Sequence, residues 1–382
     1  PGIDRLEIPQ HIFLTGASGF LGAFLLDELL RSTNAKIYCL IRSPGIEVGH
    51  QKLRHNLERY GLNPADYSSR VIPVIGDLSQ PLLGMSAAEF RQLAGTIDTI
   101  YHNGAVVNLV YPYELMRNTN VKGTEEILRL ASQVKVKPVH LISTLDIFQS
   151  VYHSRLDTRS EDDQFPASAI PDSGYAQTKW VAEKLVKAAH ARGIPTCIHR
   201  PGMIIGHSQT GCSNTEDQIS RLIKGLIQLG SAPAIDLPMH LTPVDYVSQA
   251  IVKLAGQQSA WGKAFHLSNP QPLSMLELVD YLKSLHYEIR STDYDRWLNH
   301  LLESDLSPAN VLKPLVPLFT SSSALYSTYL EVLSLENVSC QNIEAELAGT
   351  SISCPVLDAK LLDIYFAYFR QSGFLDQKMS GV

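Results

Sequence analysis

The sequence contains few of the features that mark secreted, membrane or nucleic-acid-binding proteins. Its 382 residues include five cysteines, which are scattered and form no CxxC pair, so neither a disulfide framework nor a metal site is predicted. No apolar run approaches the ~18 residues needed to cross a bilayer, and no signal-peptide pattern is found. The net charge is -6 and basic residues form no run, which argues against nucleic-acid binding. We therefore expect a protein of the reducing cytoplasm with no membrane or nucleic-acid partner.

The remaining composition is that of an ordinary globular protein, with 45% apolar and 18% charged residues. The length suits one large domain and a smaller second region. The first residue is Pro1 rather than a methionine. We therefore expect a domain excised from a longer polypeptide and monomeric in that form.

Short apolar runs rich in Ile, Val, Leu or Tyr alternate with helical stretches and predict β-strands. Strand–helix alternation at this spacing predicts an α/β Rossmann fold, a doubly wound parallel sheet. The predicted strands are HIFLTG (11–16), KIYCLIR (36–42), VIPVIGD (71–77), TIYHNGA (99–105), VHLISTL (139–145), TCIHRPG (196–202) and the late KAFHLSN (263–269).

The strand–helix rhythm stops after Gly206, which predicts two regions. We expect residues 1–206 to form the Rossmann domain, with 243–269 returning to it. Residues 207–242 and 270–382 are predicted to form a smaller, mainly helical substrate region. Amphipathic helices are predicted at 293–302 and 324–333.

A glycine-rich loop of spacing GxxGxxG follows the first strand and opens a helix. Glycines allow a tight turn and a close approach to a pyrophosphate, whose charge the helix N-terminus stabilises. The loop alone would also suit a simple turn, but the strand–loop–helix context favours dinucleotide binding. The predicted contacts are Thr15, Gly16, Ser18, Gly19, Phe20, Leu21 and Gly22.

The second strand ends at Arg42, where an acidic residue would bind the ribose 2′-hydroxyl of NAD. A guanidinium suits a 2′-phosphate instead, so NADP is the predicted cofactor. The alternative is a solvated arginine at a strand end. Arg54, on the next helix, is a candidate second phosphate ligand.

Two further strand ends are predicted to line the cofactor site. Asp77, followed by Leu78, either accepts a hydrogen bond from the adenine amino group or caps a turn. Asn103, Gly104 and Ala105 end the fourth strand, where small residues let the cofactor lie against the backbone.

Tyr175 and Lys179 form a YxxxK motif, whose spacing places both side chains on one helix face. A nearby ammonium lowers the pKa of a tyrosine, which is ~10 when free. Upstream, Ser143 and Thr144 end the fifth strand, where a hydroxyl can hydrogen-bond a reacting oxygen. Each feature alone also suits an ordinary helix or turn. The order of glycine loop, Ser-Thr and YxxxK is much more specific than any one of these features.

With these motifs, the sequence resembles the extended short-chain dehydrogenase/reductase family. More narrowly, it resembles the terminal thioester reductase domains of nonribosomal peptide and polyketide synthetases, and the similar domains of carboxylic acid and aminoadipate reductases. Position 178 is Thr where the pattern has Ser, so the hydroxyl is retained, and residues 285–350 lie outside the resemblance. The matching stretches are TGASGFLG (15–22), CLIRS (39–43), GDLSQPLLG (76–84), IYHNGAVVNLVYPYELMRNTNVKGT (100–124), LISTLDIF (141–148), GYAQTKWVAEKLV (174–186), HRPGMIIG (199–206) and LTPVDYVSQAIVKL (241–254).

The resemblance implies a Thr144–Tyr175–Lys179 triad acting with NADPH. Hydride passes to a thioester carbonyl, Tyr175 and Thr144 hydrogen-bond the oxyanion, and Tyr175 supplies the proton. Lys179 lowers the pKa of Tyr175 and holds the nicotinamide ribose. The implied product is an aldehyde, or an alcohol after a second hydride, released from a phosphopantetheine-bearing carrier domain upstream. The other implied site residues are Asn120, which orders the site, and Pro201 and Gly202, which line the nicotinamide pocket.

Other functions on related folds remain as alternatives. One is a stand-alone fatty acyl-CoA reductase. Another is a nucleotide-sugar epimerase or dehydratase, which Arg42 disfavours because such enzymes usually hold NAD. A non-catalytic scaffold or a carrier-domain cyclase is disfavoured by the intact Tyr175 and Lys179.

Overall fold

The computed structural model describes residues 8–63, 67–149, 158–163, 166–304, 310–320 and 338–376, and the helix predicted at 324–333 lies outside them. The chain divides into two compact units. The first comprises the described parts of Pro1–Gly202, Asp245–Leu267 and Val338–Ser353. The second comprises those of Met203–Val244, Ser268–Asn337 and Cys354–Val382.

The strands, in chain order, include all seven that the sequence predicts. They are β1 (His11–Thr15), β2 (Lys36–Ile41), β3 (Val71–Ile75), β4 (Thr99–His102), β5 (Val139–Ile142), β6 (Thr196–Pro201), β7 (Met203–Ile205), β8 (Ser231–Pro233), β9 (Pro238–Met239), β10 (Leu241–Pro243), β11 (Ala264–Leu267), β12 (Leu273–Ser274) and β13 (Arg290–Thr292).

None of the described α-helices is long and apolar enough to cross a membrane. They are α1 (Phe20–Ser32), α2 (Ile46–Arg59), α3 (Tyr67–Arg70), α4 (Ala87–Thr96), α5 (Tyr113–Arg117), α6 (Gly123–Ser132), α7 (Gly174–Ala191), α8 (Gln218–Leu229), α9 (Val244–Ala255), α10 (Met275–Ser284), α11 (Tyr294–Glu303), α12 (Val316–Thr320), α13 (Gln341–Leu347) and α14 (Ala359–Gln371).

The first unit is built on one seven-stranded sheet of order β11-β6-β5-β4-β1-β2-β3. Every pairing in it is parallel, so the carboxyl ends of all strands meet at one edge. The strand order reverses between β1 and β4, which is where doubly wound folds bind ligands. The predicted Rossmann fold is therefore confirmed, and the glycine loop, which follows β1, lies at the reversal point.

The helices of the first unit cover the sheet with apolar side chains. On one side, Phe90 of α4 and Ile127 of α6 pack in a buried cluster with Phe13 of β1. The face of α7 that carries Ala182 and Val186 packs in a second buried cluster with side chains of the strands, such as Leu141 of β5. This packing anchors α7, the helix of the YxxxK motif, to the sheet.

One segment differs from the expected division of the chain. The sequence assigns all of 270–382 to the substrate region, but Val338–Ser353 belongs to the first unit. Glu346 pairs with Lys263 at 2.8 Å, and Asn342 donates to the backbone oxygen of Ala264 at 3.1 Å. These contacts hold α13 beside the edge strand β11. Such long-range polar contacts leave no periodic pattern in the sequence.

The second unit is mainly helical and contains three two-stranded sheets, β7–β10, β9–β12 and β8–β13. The helix predicted at 293–302 is α11, whose Trp297 is buried and packs edge-on against Phe319, with ring centroids 5.1 Å apart. A cavity of about 30 Å³ lies among apolar side chains of this unit, including Ile219, Leu241 and Phe369. A space of this size holds a water molecule or two.

Candidate active site

The glycine loop after β1 has the geometry of a phosphate-binding turn. Gly16 has a positive φ of 74°, and a Cβ there would lie 2.8 Å from the backbone of Gly104. At Gly22, a Cβ would lie 1.9 Å from the oxygen of Gly16. Gly19 caps α1 without a side-chain hydrogen bond, and the first turn holds no acidic residue. No acidic side chain of α1 therefore competes for the N–H groups and the positive pole at the N-terminus of this helix. Such a helix N-terminus suits a negatively charged pyrophosphate.

A residue of α2 that the motifs do not include holds this loop in shape. The Nδ2 of Asn56 donates to the backbone oxygens of Ala17 at 3.1 Å and Gly19 at 3.0 Å. Asn103 adds a bond from its Nδ2 to Gly16 at 3.3 Å. Of the other predicted loop contacts, Ser18 is exposed, Phe20 is partly buried and Leu21 is buried.

A chain of buried hydrogen bonds connects β1 to the loop after β4. Thr15 Oγ1 accepts from the N–H of Gly104 at 2.8 Å and bonds His102 Nδ1 at 2.9 Å. His102 Nε2 bonds Thr124 Oγ1 at 3.0 Å, whose hydroxyl donates to the oxygen of Asn120 at 2.7 Å. Burial lowers the pKa of His102 to about 3, so the ring is neutral, with Nε2 the donor. The sequence reasoning assigned Thr15 to the cofactor but missed His102 and Thr124.

The two predicted phosphate-binding arginines have different surroundings. Arg42 is exposed just beyond β2, and its backbone oxygen accepts from Lys52 at 2.9 Å. Arg54 stacks its guanidinium over the ring of Tyr67, 5.2 Å from the centroid. The structure therefore gives Arg54 a packing role that the sequence did not indicate, while a contact of the exposed Arg42 with a 2′-phosphate remains a prediction.

The ends of β3 and β4 approach each other closely. Asp77 accepts from both the N–H and the hydroxyl of Ser79 at 2.8 Å, so one of its oxygens caps the turn. The Cδ1 of Leu78 would lie 2.6 Å from a Cβ at Gly104. Gly104 is thus packed too closely to carry a side chain, and the next residue, Ala105, is partly buried. An adenine contact by Asp77 remains a prediction.

Helix α7, which carries the YxxxK motif, begins one residue before Tyr175. Its first residue, Gly174, is tightly packed, because a Cβ there would lie 2.5 Å from the oxygen of Tyr111. Asn120 donates from Nδ2 to the hydroxyl of Thr178 at 2.9 Å and bonds the backbone of the loop after β4 through both its amide atoms. Asn120 therefore links the first turn of α7 to that loop, and its role in ordering the site remains a prediction.

Tyr175 and Lys179 are both buried, with 7% and 4% of their surface exposed. Burial raises the pKa of Tyr175 above its usual value, and the charge of Asp146 raises it further. This direction is opposite to the expected lowering by Lys179, whose Nζ donates instead to the backbone oxygen of Ile142 at 2.6 Å. Burial lowers the pKa of Lys179 to about 8, against the charge of Glu183, which raises it. The tyrosine is therefore a neutral phenol at physiological pH.

Ser143 and Thr144 follow β5 directly, and both are buried. Thr144 caps the 3-10 turn Leu145–Phe148, with its Oγ1 accepting from the N–H of Asp146 at 3.1 Å. The Ser143 N–H donates to the oxygen of His199 at 2.6 Å, and its hydroxyl has no hydrogen-bond partner within the described residues. Thr144 thus lies two residues after Ile142, whose backbone oxygen accepts the hydrogen bond from Lys179.

A buried ion pair that the sequence reasoning missed ties α7 to β6. The Arg200 guanidinium donates to both oxygens of Glu183, at 3.0 and 2.8 Å, and to the backbone oxygen of Glu161 at 3.2 Å. Arg200 is followed by Pro201 and Gly202. The N–H of Gly202 donates to the backbone oxygen of Leu267 in β11 at 3.1 Å. The only sequence signal is the spacing of Glu183, one helical turn beyond Lys179.

One group of buried side chains inside the sheet has the donor atoms of a metal site. His140, Cys197 and His199 bring their ligand atoms within 4.8 Å of one another. Burial lowers the pKa of His140 to about 3 and that of His199 well below its usual value. The rings are neutral and lie within strands β5 and β6 rather than at their carboxyl ends. The expectation that the protein holds no metal remains a prediction.

Comparison with known proteins places this arrangement in a family. The family model described as male sterility protein, an NAD-binding family, matches residues 14–251. A linear gramicidin synthase of Brevibacillus parabrevis is 41% identical over 96% of this chain, which spans 7% of that protein. The large subunit of the L-2-aminoadipate reductase of Penicillium chrysogenum is 31% identical over 95% of this chain, which spans 27% of that subunit.

A solved structure gives the same result at the level of the fold. The terminal R domain from the myxalamid PKS-NRPS biosynthetic pathway matches with a TM-score of 0.90 at 43% identity, covering 97% of this chain and 93% of that one. The extended short-chain dehydrogenase/reductase fold expected from the motifs is thus confirmed. The chain therefore belongs to the NAD-binding male sterility protein family, in the branch of reductase domains that includes the terminal R domains of peptide and polyketide synthetases.

Proposed function

We propose that this domain is an NADPH-dependent reductase that releases a carrier-bound acyl or peptidyl thioester as an aldehyde. The observation that carries the proposal is the arrangement around the end of β5. Lys179 bonds the oxygen of Ile142, Thr144 follows two residues later, and Tyr175 lies one turn before Lys179 on α7. This constellation lies at the carboxyl edge of a sheet that also carries the glycine loop.

The residues present fit a nicotinamide dinucleotide phosphate. The uncapped N-terminus of α1 would hold the pyrophosphate, and Arg42 the 2′-phosphate. Thr15, Gly104 and Ala105 would form the floor under the nicotinamide half, and Pro201 with Gly202 a wall. When bound, NADPH supplies the hydride that reduces the carbonyl carbon.

The chain's own residues would handle the oxygen and its proton. Tyr175 and Thr144 would donate hydrogen bonds to the carbonyl oxygen as negative charge develops on it. The raised pKa of Tyr175 keeps the phenol protonated, so Tyr175 can transfer its proton to that oxygen. The hemithioacetal then breaks its C–S bond, giving an aldehyde and the free thiol. Lys179 would hold the ribose and, when charged, stabilise the phenolate left on Tyr175.

The test is oxidation of NADPH, read at 340 nm, with an acyl thioester on a carrier domain. We expect absorbance to fall in proportion to aldehyde trapped with a hydroxylamine reagent, and Tyr175→Phe to abolish most of both signals. Turnover of a nucleotide sugar with tightly held NAD, and none of any thioester, would replace this proposal with the epimerase or dehydratase alternative.

A further inference from the structure

The chain between β4 and α5 exposes several large apolar side chains for which the proposed chemistry has no role. Within residues 106–115, here called the β4–α5 segment, Val107 and Leu115 are each 66% exposed, and Val110 and Tyr111 are each 47% exposed. The segment contains one charged residue in ten. Apolar side chains that are exposed close together along a chain, unlike scattered ones, indicate an interaction site.

The β4–α5 segment is fastened at two points to the start of α7. At the first point, Asn120 accepts from the N–H of Val106 at 2.8 Å and donates to its backbone oxygen at 2.9 Å. The same Asn120 side chain donates to Thr178 of α7 at 2.9 Å. At the second point, a Cβ on Gly174 would lie 2.5 Å from the backbone oxygen of Tyr111. The segment therefore has a fixed position against the helix turn that carries the proposed proton donor.

Contacts inside the segment hold the exposed side chains in place. The Oδ1 of Asn108 accepts from the N–H groups of Val110 and Tyr111, both at 2.9 Å. In α5, Met116 is fully buried while its neighbour Leu115 is exposed, so burial of one side chain fixes the position of the other. Because the backbone is already ordered, binding an apolar group to this segment costs little further ordering of the chain.

The position of the segment determines which part of the substrate it can meet. It begins directly after Gly104 and Ala105, the floor of the proposed cofactor site, and it reaches the start of α7, where Tyr175 would contact the reacting oxygen. The reacting carbon has to lie between these two groups. A phosphopantetheine arm keeps the carrier domain away from that carbon by the full length of the arm, whereas the acyl group is bonded to the carbon directly. The acyl group is therefore the part of the substrate nearest to the segment.

We propose that the β4–α5 segment binds the apolar chain of the acyl group, so that the domain selects long apolar acyl thioesters over short or charged ones. The inference rests on the proposed function, in which Tyr175 contacts the thioester carbonyl. Water leaves both the segment and the acyl chain on binding, and each methylene withdrawn from water favours the complex by up to about fourfold. A carboxylate at the end of the chain would lose its hydration there, and residues 106–115 include no cationic side chain to pair with it.

The first experiment compares kcat/KM for three pantetheine thioesters: butanoyl, octanoyl, and suberoyl, which is the octanoyl chain ending in a carboxylate. The octanoyl thioester should be reduced ~10-fold or more efficiently than the butanoyl one, since about twofold for each added methylene is enough. The suberoyl thioester should lose most of this advantage. Val107→Ser and Leu115→Ser should each lower the octanoyl value about threefold and the butanoyl value less.

Val134→Ser is the matched control for these variants. Val134 is 62% exposed, so its exposure equals that of Val107 and Leu115. It lies between α6 and β5, at the amino edge of the parallel sheet and thus opposite to the proposed site. Val134→Ser should therefore change neither the butanoyl nor the octanoyl value.

Several outcomes would overturn the proposal. Equal values for the butanoyl and octanoyl thioesters would do so, as would an octanoyl preference that persists when Val107→Ser and Leu115→Ser are combined. If these variants lower the turnover of every carrier-bound thioester by the same factor, whatever its acyl group, the segment binds the carrier domain instead. A dimer in solution that Leu115→Ser dissociates would assign the segment to a second copy of the chain.

A second experiment separates this inference from the proposed function. Amides with the same acyl groups, which cannot be reduced in this way, are titrated into the domain with NADP+ present, and their affinities are measured by calorimetry. The octanoyl amide should bind ~10-fold or more tightly than the butanoyl amide, and the combined variant should remove most of this difference. This result with no thioester turnover would refute the proposed function and leave the apolar binding surface in place. Thioester turnover with equal affinities for the two amides would refute the surface and leave the proposed function.

Discussion

The guanidinium of Arg42 stands exposed just beyond β2, where the fold places the adenine ribose. Charge-assisted hydrogen bonds to a 2′-phosphate contribute ~1.5–3 kcal/mol. We therefore predict that NADPH binds ~10-fold or more tightly than NADH, and that Arg42→Ala removes most of this preference. Fluorescence titration with both cofactors measures it.

Arg54 offers a matched control for that measurement. Its guanidinium is stacked on Tyr67, so Arg54→Ala should change the ratio of the two affinities far less than Arg42→Ala. Equal affinities for NADPH and NADH in the unmodified domain would contradict the assignment of Arg42.

The phenol of Tyr175 allows a separate prediction about turnover. Tyr175→Phe removes the proton donor and keeps the buried ring, so kcat should fall by ~100-fold or more while NADPH affinity changes little. Lys179→Ala should impair both, because Lys179 would hold the ribose. Single-turnover kinetics and cofactor titration distinguish the two variants. Near-normal turnover of Tyr175→Phe would mean that another group delivers the proton.

Residues within short motifs could be predicted from the sequence, and their partners could not. Gly16 and Tyr175 belong to local patterns whose spacing alone carries meaning. Asn56 reaches the glycine loop from 37 positions away, and Arg200 meets Glu183 across the gap between a strand and a helix. The spacing of such pairs depends on the fold, so no local signal exists. The direction of the Tyr175 pKa depends in turn on burial, which a motif does not report.

At the level of elements, the strands were predictable because each combines an apolar run with a polar or glycine end. The structure shortens all seven of them by one to three residues at the carboxyl end, where the loop residues begin. The segment around α13 was assigned to the wrong unit, since its attachment depends on single polar contacts such as Glu346 with Lys263. Periodicity identifies what an element is, and specific contacts decide where it packs.

The N-terminus of α8 supports a prediction about stability. Asp217 caps this helix, with Oδ1 accepting from the N–H of Ser220 at 2.7 Å, and burial raises its pKa to about 6. A raised pKa means that the folded state binds the proton more tightly than the unfolded chain. The free energy of unfolding should therefore decrease as the pH rises from about 4 through 6, by ~1–3 kcal/mol.

Substitution of this cap checks the sign. Asp217→Asn keeps the accepting oxygen and removes the charge, so it should be more stable than the unmodified domain at pH 8 and similar at pH 4. Asp217→Ala loses the cap at both pH values, at a cost of ~1 kcal/mol. Urea unfolding at the two pH values measures these differences. An Asn variant that is less stable at pH 8 would contradict the burial argument.

At the scale of the whole molecule, the prediction concerns how substrate is delivered. The relatives are much longer than this chain, and a tethered thioester is supplied at high effective concentration. We predict a higher kcat/KM for an acyl group on a carrier domain than for the same group on coenzyme A or a small thiol. A side-by-side assay of the three thioesters decides it. If the coenzyme A ester is equal or better, the domain is better described as an acyl-CoA reductase.

The division of the chain into six alternating segments has a consequence for domain exchange. The backbone passes from one unit to the other five times: after Gly202, Val244 and Leu267, before Val338, and after Ser353. A fragment that stopped at the first passage would lack β11 and leave β6 as an unpaired edge, a known route to aggregation. A chimera that borrows the second unit of a relative must therefore replace two internal segments and the C-terminal segment at once, with the junctions placed at these five passages.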